Sequence, residues 1–276
     1  MSRTGGRTLS LAAIAVVALA MGGCTAAPVQ PVRLDLAGAA ADANYDNLAF
    51  VLAKATNDQG YVDYDDLKKH AARLEAQLKR LAVCGPMATP ALYPSPGARL
   101  AYWYNARTAW AIKLAFDANC PRDSLAPSRL EERPFPLDGR PMTLDALDAI
   151  ILRDHGWQAA VGAPCIRLHR SRLPARPFSP LDVEAVVPRR FLEYLGDRDR
   201  FVIDVERRTI FYPPVLWSVR GRLIEEHGRT YRTEGATLNT AFLPFVRGVA
   251  ALRLQDATGY AEAEGSRDGP LACLRH

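Results

Sequence analysis

Over residues 100–114 apolar side chains return at helical spacing: Leu100, Trp103, Ala106, Trp110 and Leu114 share one face. Two of the chain's four tryptophans lie here. Each can bury on the order of 200 Å², so the pattern predicts a helix at the centre of the core. Asn105 sits beside that face. A buried amide without partners costs roughly 1–3 kcal/mol, so Asn105 is expected to tie down the backbone of a neighbouring loop, with ligand binding as its alternative role. Other helices are predicted through Leu48, Val51, Leu52 and Ala55; from a cap at Asp65 or Asp66 along Leu67, Ala71, Leu74, Leu78 and Leu81; and from a Thr143 cap along Leu144, Leu147, Ile150 and Ile151. A helix starting at Ser179-Pro180 is expected to break near Pro188. Two more cover 215–227 and 236–246.

Residues 201–205 and 209–212 alternate around Glu206-Arg207-Arg208 and read as a β-hairpin. Residues 135–141 read as a strand end and turn, 157–165 as a strand or buried loop, 251–255 as a strand, and the tail from Gly265 as loop. Helices outnumber strands and do not alternate with them regularly. No internal repeat is present. The fold class expected is α+β, a single helix-rich domain packed on a small antiparallel sheet.

The N-terminus carries a different pattern. Arg3 and Arg7 precede an apolar run over residues 9–20, and Met21-Gly22-Gly23-Cys24 follows. The run matches a signal-peptide core and is short for a membrane span. Small residues directly before a cysteine look like a bacterial lipobox, which implies cleavage before Cys24 and lipidation of Cys24. Residues 1–23 are then a lipoprotein signal, 24–44 a tether and 45–276 the globular domain. The expected location is the cell envelope, facing the periplasm, with Thr25 after the cysteine favouring the outer membrane. Membrane attachment through the lipid is the one partner implied directly.

The formal charge of +5 falls to +3 once Arg3 and Arg7 leave with the signal. Basic residues are dispersed, which argues against nucleic acid. The exception is the Pro-containing loop over 166–178, which holds Arg167, His169, Arg170, Arg172 and Arg176. It is the densest positive patch, suited to an anionic envelope component such as lipid head groups, an acidic glycan or an acidic protein. Beyond Cys24 four cysteines remain: Cys84, Cys120, Cys165 and Cys273. Outside the cytoplasm they tend to oxidise, and three pairings are open. Cys84 with Cys120 is favoured because the two flank the central helix. No cofactor is implied, and no Cys/His spacing points to a metal.

The order of several short motifs resembles the family of unknown function catalogued as number 547. These are Gly60-Tyr61-Val62-Asp63-Tyr64, Trp103-Tyr104-Asn105-Ala106, the helix Thr143-Leu144-Asp145-Ala146-Leu147-Asp148 with Leu152-Arg153, then Cys165 and Phe178. The resemblance spans roughly residues 45–260. It implies a Glu, a His and a Cys that suggest a papain-like thiol ancestry. This chain departs at each partner: Asp148 stands at the Glu position, Ala160 at the His position, and Thr108 at a second helix Asn.

Two functions follow. In the first, Cys165 is the nucleophile of a thiol hydrolase or transferase, His169 or His155 its base, and Asp148 the group that orients the base. Arg167 and Arg170 would favour the thiolate. In the second, the domain is non-catalytic and presents Arg167, Arg170, Arg172 and Arg176 to an anionic partner. Ala160 in place of the family's His favours the second.

Overall fold

The computed structural model describes residues 44–120, 129–168, 170–195, 201–266 and 271–274. Cys24, the signal and nearly all of the tether lie outside them. The fold is α+β and centres on the long helix α4 (Pro96–Asp117), which follows α1 (Asp46–Ala55), strand β1 (Val62–Asp63), α2 (Tyr64–Lys69) and α3 (Ala71–Val83). Ser95 caps α4 by accepting from the Ala98 N–H at 3.0 Å, and Pro96 occupies its first turn, where no N–H is needed. From Leu100 to Ile112 every residue of α4 is buried. A helix hidden all round is a core element rather than an amphipathic one. Its tyrosines reach both ways. Tyr102 donates to the Leu81 carbonyl of α3 (3.0 Å), and Tyr104 donates to the Ala159 carbonyl (2.6 Å).

After α4 come the hairpin β2 (Phe135–Leu137) and β3 (Arg140–Met142), α5 (Leu144–His155), α6 (Trp157–Gly162) and α7 (Val183–Leu195). Thr143 caps α5 as expected, accepting from the Ala146 N–H. The rest of the chain builds β4 (Val202–Asp204), β5 (Thr209–Tyr212), α8 (Pro214–Tyr231), α9 (Leu238–Phe242), α10 (Gly248–Asp256), β6 (Ala261–Glu264) and β7 (Cys273–Leu274). Two apolar clusters result. One surrounds α4; the other gathers Ile210, Tyr212, Leu216, Phe242 and Leu254. Helices α6 and α7 belong to both. Ala160 and Val187 face the first cluster, while Val161 and Phe191 face the second.

The structure departs from the sequence pattern in specific places. The helix expected from Asp65 to Leu81 divides at His70 into α2 and α3. Residues 157–162 are helical. Pro188 lies inside a continuous α7 because it is exposed, and burial of Phe191, Tyr194 and Leu195 holds the turns beyond it. Residues 251–255 belong to α10, since Ala250 and Leu254 are the buried pair, at a spacing of four. The hairpin β4–β5 is present, but β5 also pairs in parallel with β6, so that sheet is mixed. Strand β7 pairs in parallel with β1, Val62 opposite Cys273, within what the pattern gives as loop.

That strand decides the cysteine pairing. Cys273 is bonded to Cys120, just past the end of α4, and Cys84 and Cys165 are buried and lie outside that disulfide. The expected Cys84–Cys120 bridge is therefore corrected. Cys84 lies at the α3 end and close to Tyr93, while β7 carries Cys273 along β1 to Cys120. Next to Cys84, Gly85 is confined. A Cβ there would lie 2.4 Å from Asp138 Cγ and 2.6 Å from Tyr102 Oη. Asp138 itself accepts from the Met87 and Ala88 N–H groups at 2.8 and 2.7 Å. Gly85→Ala is expected to displace Asp138 from both donors and to lower stability by about 2–4 kcal/mol in urea unfolding. A loss under about 0.5 kcal/mol would contradict this packing.

Candidate functional site

The segment joining α6 to α7 contains Cys165 and the basic loop. A loop packed inward carries backbone groups that need partners, and here buried side chains supply them. From α4, Asn105 pairs with both backbone groups of Phe178: Nδ2 donates to the carbonyl (2.9 Å) and Oδ1 accepts from the N–H (2.8 Å). From α7, Arg190 donates through Nε to the Gly162 carbonyl (2.8 Å) and through Nη2 to Ser171 Oγ (2.8 Å) and the Arg172 carbonyl (2.6 Å). Its guanidinium also lies 5.2 Å from the centroid of the Phe178 ring. On the other side of the loop, Gly60 has φ +77°, and a Cβ on it would stand 3.0 Å from the Leu173 backbone.

The centre of the site is Arg107, fully buried on α4. Its fork grips Asp148 of α5, Nε to Oδ1 at 2.5 Å and Nη2 to Oδ2 at 2.9 Å, and Nη1 donates to the Pro164 carbonyl. The Cys165 side chain lies near enough to the same guanidinium to interact with it electrostatically. Arg170 adds a second cation on Asp148 Oδ2 at 2.9 Å. Burial pushes the Asp148 carboxyl up, but Arg107 and Arg170 outweigh it and hold the group below the usual carboxylate range. Burial pushes the Arg107 guanidinium down, but Asp148 and Cys165 overcome this and hold it above its ordinary value. Nearby, Arg167 makes a second fork with Glu131, with Nη2 to Oε2 at 3.0 Å.

The expected site residues thus divide. Cys165 and Asp148 both lie against one guanidinium, that of Arg107. Cys165 is 1% exposed. Ala160 is packed in α6, in the core around α4. His155 ends α5. Burial lowers its pKa, the charged groups acting on it are Asp154, Arg99 and Glu184, and among the described residues its Nε2 has no hydrogen-bond partner. His169 lies outside the described residues. Among the described residues no group of His, Cys, Asp and Glu is arranged to hold a metal.

The basic loop requires a correction. Arg167 and Arg170 are 2% and 9% exposed and committed to Glu131 and Asp148, so they are not part of an outward surface. Arg172 and Arg176 do face outward, Arg176 with Asp182 at 3.8 Å. Asn105 engages the loop backbone at Phe178 through both amide atoms. The sequence pattern also passed over Arg107, Glu131 and Arg190. Arg107 had a visible signal. It lies four residues after Trp103 and three before Trp110, a lone charge on the apolar face.

Arg107→Lys keeps the charge but loses the fork and leaves the Pro164 carbonyl unpaired, so it is expected to cost about 2–3 kcal/mol. Asp148→Asn leaves two guanidiniums without their carboxylate and is expected to cost about 3–5 kcal/mol near neutral pH. Because the folded pKa of Asp148 is depressed, its contribution is complete above the unfolded value, about 4, and drains away as pH falls through the folded one. Urea unfolding of wild type and Asp148→Asn should therefore converge in acid. A gap that widens below about pH 4 would reverse the sign assigned here.

No family model, no curated protein and no solved structure matches this chain.

Proposed function

We propose that this chain is a lipid-anchored cell-envelope protein, similar to family number 547, whose domain is non-catalytic and presents an arginine-bearing loop to an anionic partner. The observation that carries the non-catalytic reading is the commitment of Asp148. Three of the hydrogen bonds that this carboxylate can accept go to guanidiniums, the Arg107 fork and Arg170, rather than to a catalytic base. The thiol that it would serve is sealed from solvent, and position 160 holds a methyl group. The envelope reading rests on the basic, apolar and Gly-Gly-Cys24 order of the N-terminus, and a disulfide between Cys120 and Cys273 suits an oxidising compartment. Among the described residues no helix is long and apolar enough to cross a membrane, so attachment in this reading rests on lipid at Cys24. The partner-facing groups reduce to Arg172 and Arg176, on a loop held rigid beneath by Asn105 and Arg190.

Two measurements test this reading. Iodoacetamide applied to the folded, oxidised protein should leave Cys165 unmodified by peptide mass mapping; rapid modification without reductant would restore the thiol-enzyme alternative. The unlipidated mature chain should co-sediment with phosphatidylglycerol vesicles, and the double variant Arg172→Glu, Arg176→Glu should bind about tenfold more weakly. Equal binding by parent and variant would remove the anionic-surface role.

A further inference from the structure

Strand β7 fastens three parts of the molecule. It pairs in parallel with β1, where the Val62 N–H donates to the Ala272 carbonyl at 2.7 Å. On its other side the Ala272 N–H donates to the Ile166 carbonyl at 2.6 Å, and Leu271 bridges to Arg167. Ile166 and Arg167 directly follow Cys165. Through Cys273 the strand is also bonded covalently to Cys120, 153 residues earlier. Leu271, Ala272 and Cys273 are all buried.

We propose that Cys165 is a cryptic thiol whose reaction with small electrophiles is gated by the Cys120–Cys273 disulfide. With the disulfide closed, β7 stays against Ile166 and Arg167 short of unfolding, and the loop carrying Cys165 stays shut. When the disulfide is open, β7 is held by a few hydrogen bonds and the burial of a short segment. A strand of two residues held in this way opens locally far more often than the whole fold does. Its departure frees the Ile166 carbonyl and the backbone beside Arg167, and so loosens the residue before them.

The chemistry balances with a dithiol reductant. One of its thiolates attacks a sulfur of the disulfide and releases the other as a thiolate. Its second thiol then displaces the mixed disulfide, so Cys120 and Cys273 gain two electrons and two protons while the reductant becomes a disulfide. Alkylation then forms an S–C bond at Cys165, breaks the C–I bond of the probe, and releases iodide and the thiol proton to solvent. The gate goes beyond the non-catalytic reading, which concerns only the oxidised protein.

The test is timed iodoacetamide labelling of the folded full chain, mapped peptide by peptide, in three forms: oxidised, reduced with dithiothreitol, and Cys273→Ser. Cys84 is a buried thiol outside the disulfide and remote in sequence from β7, and it reports global opening. The expected result is no labelling of Cys165 in the oxidised protein, and a labelling rate about tenfold or more higher in the reduced protein and in Cys273→Ser, with Cys84 still protected. Labelled Cys120 beside an unlabelled Cys165 in Cys273→Ser would overturn the gate and leave the non-catalytic reading standing. Cys84 and Cys165 labelling together would also overturn it, since the opening would then be global. Labelling of Cys165 in the oxidised protein would sink the sealed-thiol reading itself.

Discussion

A guanidinium with no exposure to water has to be neutralised and hydrogen-bonded where it lies, or it costs several kcal/mol. Arg107 meets that requirement with Asp148 and the Pro164 carbonyl, and much of the surrounding structure follows. The fork fixes α4 against α5, because two parallel N–H···O bonds allow little freedom of angle. The third donor pulls Pro164, and with it Cys165, onto the same helix. Asp148 cannot then lose its charge without stranding two cations, and this keeps it ionised in a buried place.

The loop between α6 and α7 is best understood as a basic segment turned inward. Of four buried arginines, three, Arg107, Arg167 and Arg170, meet two carboxylates, Asp148 and Glu131. Arg190 draws instead on neutral acceptors, and burial pushes its guanidinium below the ordinary arginine value. Arginine suits this role because its five donors are held in a planar fan that can satisfy several carbonyls of an irregular backbone at once. A dense run of arginines in sequence therefore need not be a charged surface. Here the inward residues are those with a carboxylate across the loop.

What could be read from the sequence was whatever depends on local pattern. The central helix, the Thr143 cap, the β4–β5 hairpin and the loop-tying role of Asn105 each follow from spacing or from the needs of one side chain. The parts that escaped depend on distant partners. Glu131 gives no local sign that it faces Arg167. The pairing of Cys120 with Cys273 depends on β7 joining β1, two strands of two residues each at opposite ends of the chain. The stretch over 251–255 shows a different failure, since five residues fit a period of two and a period of 3.6 almost equally well. Burial of Leu254 settles it, and that is a tertiary fact.

The same packing limits what position 160 can hold. Ala160 stands on α6, the short helix wedged between α5 and α7 and shared by both cores. Its neighbours leave little slack. A Cβ on Gly162 would stand 3.3 Å from Arg190 Cβ, and the Ala159 carbonyl is tied to Tyr104. An imidazole at position 160 would add volume to a filled core, at a typical cost of about 1–3 kcal/mol. Helix α6, the Asp148 carboxylate of α5 and the Arg107 guanidinium of α4 are therefore fixed by one another.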